Sequence, residues 1–203
     1  MTQADLHDPA VRRRLYITLA QKRVRPGSGS SPDVLWARTW RRPVFDRRSV
    51  VSVPFLVIGG VATRLYAPER VTDDLDVLVS VDGAEVFYGQ LECSGVGRVL
   101  PEGMPLDVLE EDAAWVAEAL TVPEAGPDGL PVIALPYLIL LKMRASRGID
   151  IGDLTRMLGA AGEADLERTR RVISTHLSDG EEDLESLIQL GQLEYAATRE
   201  SRR

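Results

Sequence analysis

Two glycines and two aspartates carry the spacing that suggests chemistry. Gly59 and Gly60 close a short apolar run at 55–58, and after a gap of 13 residues come Asp74, Leu75 and Asp76. Glycines where a strand gives way to a helix let a phosphate approach the backbone, and the unpaired N–H groups of the helix's first turn point at it. On a strand, residues two apart share a face, so the carboxylates of Asp74 and Asp76 start from Cα atoms about 7 Å apart and can converge on one ion. Hard oxygen ligands of this kind suit Mg²⁺, which is commonly held by one or two carboxylates together with substrate phosphates. Each pair alone has a plainer reading. A lone Gly-Gly is usually a turn, and a lone Asp-x-Asp is usually a solvated strand edge. The specific signal is their order and spacing together.

The elements that position these residues are legible from periodicity. Residues 55–58 read as a buried strand, and 61–66 as a helix opening from the glycines and closed by Pro68. Leu75, Val77 and Val79 alternate with Asp74, Asp76 and Leu78, the period of a strand. A helix is expected at 82–91, strands at 96–100 and 106–109 separated by a turn at 101–105, and a helix at 112–120. After a turn-rich stretch at 123–131, helices are predicted at 136–147, 151–160, 164–176 and 181–198. Mixed strands and helices followed by helices alone predict an α+β domain, with a small mixed sheet flanked by helices and a helical C-terminal layer. Boundaries follow at 1–50, a basic N-terminal arm; 51–160, the α+β domain; and 161–203, helices packing on it.

The arm is read from composition. Residues 9–25 form an expected helix with Asp8 as its cap and Pro9 in its first position, and RPGSGSSP at 25–32 is a flexible linker. Between Arg12 and Arg48 eleven Lys/Arg stand against Asp33 and Asp46. That is +9 for the segment, leaving −16 for the rest of a chain whose total is −7. Such an arm could bind a polyanion such as tRNA, dock on its own acidic body, or be a solvated surface. Trp36 and Trp40 among these arginines suit packing against a core better than stacking on bases. Cys93 is the only cysteine, which excludes an intrachain disulfide and a cysteine-based metal site. His7 and His176 lie in unlike contexts and suggest no nucleophilic triad. The longest apolar stretch, near 132–141, is broken by Pro136 and runs into Lys142, so no membrane span is expected. The start of the chain, 1–10, is polar and acidic rather than a signal peptide, and a reducing cytoplasm is the simplest compartment.

An apolar residue, Gly59-Gly60, a 13-residue gap and Asp74-Leu75-Asp76-Val77 together resemble the signature of the nucleotidyltransferase superfamily, the DNA polymerase beta-like group. Gly59-Gly60-Val61-Ala62 with Arg70-x-Thr72-x-Asp74-Leu75-Asp76 looks most like its small bacterial branch of minimal and abortive-infection toxin-type nucleotidyltransferases. The resemblance spans roughly residues 53–160. It implies the nucleotidyltransferase fold, with Asp74 and Asp76 binding two Mg²⁺ ions, Gly59 and Gly60 binding the triphosphate of an NTP, and Arg70 and Thr72 near it. It also implies a third carboxylate on a neighbouring strand, which Asp107 in Pro105-Leu106-Asp107-Val108-Leu109 matches. Lys142-Met143-Arg144-Ala145 and Asp150-Ile151-Gly152-Asp153-Leu154 are similar to a later pair of motifs in the toxin-like branch. By that likeness Lys142 neutralises nucleotide phosphates, and Asp150 orients it or caps the next helix. The branch often has Arg directly before that first Asp, where this chain has Ile149; either Arg147 substitutes for it or the acceptor site is altered. The activity implied is transfer of a nucleoside monophosphate from an NTP to RNA, protein or a small molecule. The alternative is a non-catalytic or partner-regulated nucleotide-binding member of a toxin–antitoxin pair, with a small antitoxin-like protein as partner.

Overall fold

The computed structural model describes residues 51–67, 74–93, 105–126 and 129–200. The helix expected at 9–25, the linker, Trp36 and Trp40, the strand expected at 96–100, and Arg70 and Thr72 lie outside the described residues. The described chain is α+β and divides into two compact units, one ending at Leu138 and the other beginning at Ile139.

The first unit is built on five strands: β1 (Leu56–Ile58), β2 (Leu75–Ser80), β3 (Leu106–Glu111), β4 (Glu124–Ala125) and β5 (Pro131–Val132), in the order β3-β2-β1-β5-β4. The sheet is mixed: β1 pairs antiparallel with β2 and parallel with β5, while β2 and β3 run parallel. Helix α1 (Gly59–Tyr66) leaves β1 without a loop, α2 (Val81–Cys93) follows β2 just as directly, and α3 (Ala114–Thr121) follows β3. All three pack on β2. That accounts for a strand whose Leu75, Val77, Leu78 and Val79 are buried on both faces. Phe87 of α2 meets Phe55 edge to face at 5.8 Å between ring centroids, and Trp115 of α3 is fully buried. Tyr66 at the end of α1 donates its hydroxyl hydrogen bond to the Ile133 carbonyl at 2.9 Å, tying that helix to the segment beyond β5.

Two expectations shift. Helix α1 begins at Gly59 rather than at Val61, so both glycines lie inside its first turn. The stretch read as turn-rich at 123–131 contributes β4 and β5, two residues each, joined by a turn in which Gly129 has φ +77°. Two-residue strands carry no alternation to read.

The second unit is helical. Helix α4 (Leu135–Ala145) enters it, followed by α5 (Gly148–Ala160), α6 (Glu163–His176), a short 3₁₀ turn (Ser178–Gly180) and α7 (Glu181–Glu200). Ser146, at φ +50°, lies in the two-residue link between α4 and α5. Helices α5 and α7 touch through their backbones at two glycines. A Cβ on Gly159 would stand 2.5 Å from the Gly191 carbonyl carbon, and one on Gly191 would stand 2.7 Å from the Gly159 nitrogen. Any side chain at either position forces the helices apart. Leu154, Met157, Leu158, Leu166, Ile173, Leu184, Leu187 and Ile188 are buried in this unit. Among the described residues, no helix is long and apolar enough to cross a membrane.

Candidate metal centre

Asp76 is the fixed point of the site. It sits on β2, opposite Ile58 of β1 on one side and opposite Asp107 of β3 on the other. Residues in register on neighbouring strands project to the same face and lie about 4.8 Å apart across the ladder. The register therefore brings together two carboxylates that are 31 positions apart in the chain. Asp74 lies one residue before β2, and the Leu75 amide anchors that end of the strand by donating to the Pro105 carbonyl at 3.0 Å. The result is a cluster: Asp74, Asp76 and Asp107 each offer a carboxylate oxygen, all within 4.8 Å of one another. Asp74 and Asp76 are partly buried, and Asp107 is exposed.

The other wall of the cluster is the strand-to-helix junction. Gly59 has φ +62°, the left-handed region that glycine enters without strain, and this allows β1 to turn into α1 with no intervening residue. Its bare Cα also faces Asp76. A Cβ built there collides with Asp76 Oδ2, and stands 2.5 Å from Asp76 Cγ and 2.8 Å from Asp76 Cβ. Four residues on, Thr63 donates its hydroxyl to the Gly59 carbonyl at 2.8 Å. The first turn of α1 holds no acidic residue of its own, and Gly59 in that turn lies against Asp76, so the positive end of the helix dipole lies beside that carboxylate.

Like charges at this range repel by about 1 kcal/mol per pair in water, and by several at the lower dielectric of a protein surface. A divalent cation offsets that repulsion directly. Three carboxylate oxygens spaced this way, with an exposed side, fit a hard, oxygen-seeking ion such as Mg²⁺, which keeps waters and takes substrate oxygens as further ligands. Asp74, Asp76 and Asp107 are the residues that would hold it.

Lys142 lies in the helical unit and is buried. Its ammonium donates to Asp150 Oδ1 at 3.0 Å and to Asp153 Oδ2 at 2.8 Å, and both aspartates are buried with it. Arg147, itself exposed, donates from Nε to Asp150 Oδ2 at 2.8 Å. Burial pushes the Asp150 carboxyl up. The hydrogen bonds from Arg147 and Lys142 outweigh it and hold the group below the ordinary carboxylate range. Asp150 lies in the first turn of α5, where the helix dipole also favours its charge. The partnership of Lys142 with Asp150 anticipated from the motif is present. Asp153 is an equal partner that sequence reasoning left without a role. The signal for it was its spacing: Asp150 and Asp153 are i, i+3 on one helix and so share a face.

No model of a known protein family matches the chain, and no curated protein matches it either.

Proposed function

We propose that this protein is a Mg²⁺-dependent nucleotidyltransferase that moves a nucleoside monophosphate from an NTP to an acceptor hydroxyl or phosphate, releasing pyrophosphate. The observation that carries the reading is the convergence of Asp74, Asp76 and Asp107 beside the N-terminal turn of α1. A strand–glycine–helix junction against a carboxylate triad joins an anion-binding element to a cation-binding one, which is what a nucleoside triphosphate with its metal requires. The resemblance of the Gly59–Val77 pattern to nucleotidyltransferases points the same way and extends the proposal to their fold.

Asp74 and Asp76 hold the metal in this reading, and Asp107, on the exposed side, completes the set nearest an incoming acceptor. When bound, the metal supplies Lewis-acid stabilisation of the charge that develops on the phosphoryl oxygens. Gly59 and Gly60 offer backbone N–H groups and the positive end of the α1 dipole to the triphosphate. Arg70 and Thr72, between α1 and β2 in the chain, are assigned to the phosphates by the resemblance. We assign Lys142 to ordering the junction of α4 and α5, because its ammonium already lies between two carboxylates. The basic segment at 12–48 makes RNA, tRNA in particular, the acceptor to test first.

The deciding experiment titrates each NTP into the full-length protein with Mg²⁺ and with EDTA, then assays transfer of labelled nucleotide to tRNA, protein and small-molecule acceptors. Binding and transfer are expected to need Mg²⁺. Asp74→Ala and Asp76→Ala are each expected to reduce transfer by more than the roughly 100-fold that accompanies loss of a group merely orienting a metal ligand. Transfer undiminished in these variants overturns the proposal.

A further inference from the structure

Gly59 has two reasons to be glycine, and they point to different jobs. The first is its backbone: φ +62° suits glycine, but Asn and Asp also enter this region at modest cost. The second is space. Asp76 Oδ2, Cγ and Cβ all crowd the position a Cβ would take, so the whole side chain of Asp76, not only its tip, lies against the bare Cα. The contact is fixed from both ends. Ile58, the residue before Gly59, is the register partner of Asp76 on the adjoining strand, so the junction and the carboxylate cannot slide past one another. The Thr63 hydroxyl holds the Gly59 carbonyl within α1, which limits how far the glycine can swing away.

We propose that Gly59 is a positioning residue for the Asp76 carboxylate: the space left by its missing side chain is where that carboxylate lies, and this sets where the middle ligand of the triad stands. The inference rests on the reading of Asp74, Asp76 and Asp107 as a metal centre. It separates the two glycines, because Gly59 then serves the cation through Asp76, whatever its backbone also offers to a phosphate. Groups that orient metal ligands typically change affinity by roughly 10–100-fold when lost.

The test uses the full-length chain, Mn²⁺ followed by electron paramagnetic resonance, and thermal unfolding in EDTA. Gly59→Asn tolerates the backbone conformation but adds the Cβ. It is expected to bind Mn²⁺ roughly 10–100-fold more weakly than wild type while keeping its helical circular dichroism. Leu187→Ala, which opens a cavity in the helical unit, is expected to lower the melting temperature and leave Mn²⁺ affinity unchanged, separating lost stability from lost positioning. In EDTA, Gly59→Asn should lower the melting temperature more when Asp76 is present than in the Asp76→Ala background, where most of the collision is gone. Equal losses in the two backgrounds, or undiminished Mn²⁺ affinity in folded Gly59→Asn, overturn the inference. Should Gly59→Asn fail to fold alone, a folded Gly59→Asn/Asp76→Ala protein supports the contact, and failure in both backgrounds overturns it. Wild-type protein that takes up no Mn²⁺ removes the metal centre itself, and the positioning role with it. Wild-type uptake with an indifferent Gly59→Asn removes the positioning role alone.

Discussion

Asp150 and Asp153 in the helical unit are buried, and the chain itself supplies their cations, with Lys142 between them and Arg147 on the outer edge of Asp150. Asp74, Asp76 and Asp107 in the sheet unit are gathered too, but Asp74 and Asp76 are partly buried and Asp107 is exposed. The difference teaches which aspartates can serve a ligand. A carboxylate withdrawn from water must be matched by a fixed charge, because desolvating it unpaired is costly. Once matched, it has no vacancy to offer an exchanging ion. A carboxylate that solvent still reaches can be approached by an ion from solution.

The sharpest way to break the comparison is to remove the fixed charge. Lys142→Met leaves Asp153 buried without its ammonium partner, and is expected to cost about 3–5 kcal/mol of folding stability in urea titrations. A loss below about 1 kcal/mol, the range of exposed ion pairs, places the cluster with surface salt bridges instead. The sheet triad should respond to added ions where the helical cluster does not. Mg²⁺ at about 100 times its dissociation constant should stabilise the wild-type protein by about 2.7 kcal/mol. Asp107→Asn should weaken that response, with little change of its own in EDTA. Gly191→Ala probes the helical unit apart from its charges, since the new methyl meets the α5 backbone, and about 1–3 kcal/mol of destabilisation is expected. The smallest effect comes from acid. The folded Asp150 carboxyl titrates below its unfolded counterpart, so its contribution is fully present above the unfolded value of about 4 and is lost as pH falls through the lower, folded value. Urea midpoints of the wild type should therefore fall more steeply below about pH 4 than those of Asp150→Asn.

Two members of the triad were legible before the structure because they obey a local periodicity. Asp74 and Asp76 are two apart beside an alternating apolar strand, and the apolar run before Gly59 marks where β1 ends. Asp107 was reached by likeness rather than spacing, since nothing local to Leu106–Glu111 says which strand it pairs with. The α+β order of elements was readable for the same reason as the strands, from changes of period along the chain. Strands β4 and β5 were not, because their pairing is decided by contacts of Val132 and Ile133 with β1 rather than by their own two residues. The double engagement of Lys142 was half visible. Its partners lie eight and eleven residues on, across a link at Ser146 whose left-handed backbone no sequence pattern announced. Gly59 was legible as a glycine at a turn, but its contact with Asp76 depends on the register of β1 against β2.

The pairing of Asp76 with Asp107 in a parallel ladder has a consequence for how such a chain can change length. In the chain, α2 and residues 94–104 lie between β2 and β3, outside the ladder that pairs the two strands. One residue added between Leu106 and Asp107 acts differently, because side chains alternate faces along a strand. With Leu106 held in register against Leu75, it would turn Asp107 to the opposite side of the sheet and put the inserted residue in its place beside Asp76. Tolerance to length change should therefore drop abruptly on entering β3, at a boundary set by hydrogen bonding and unrelated to distance from the aspartates in sequence.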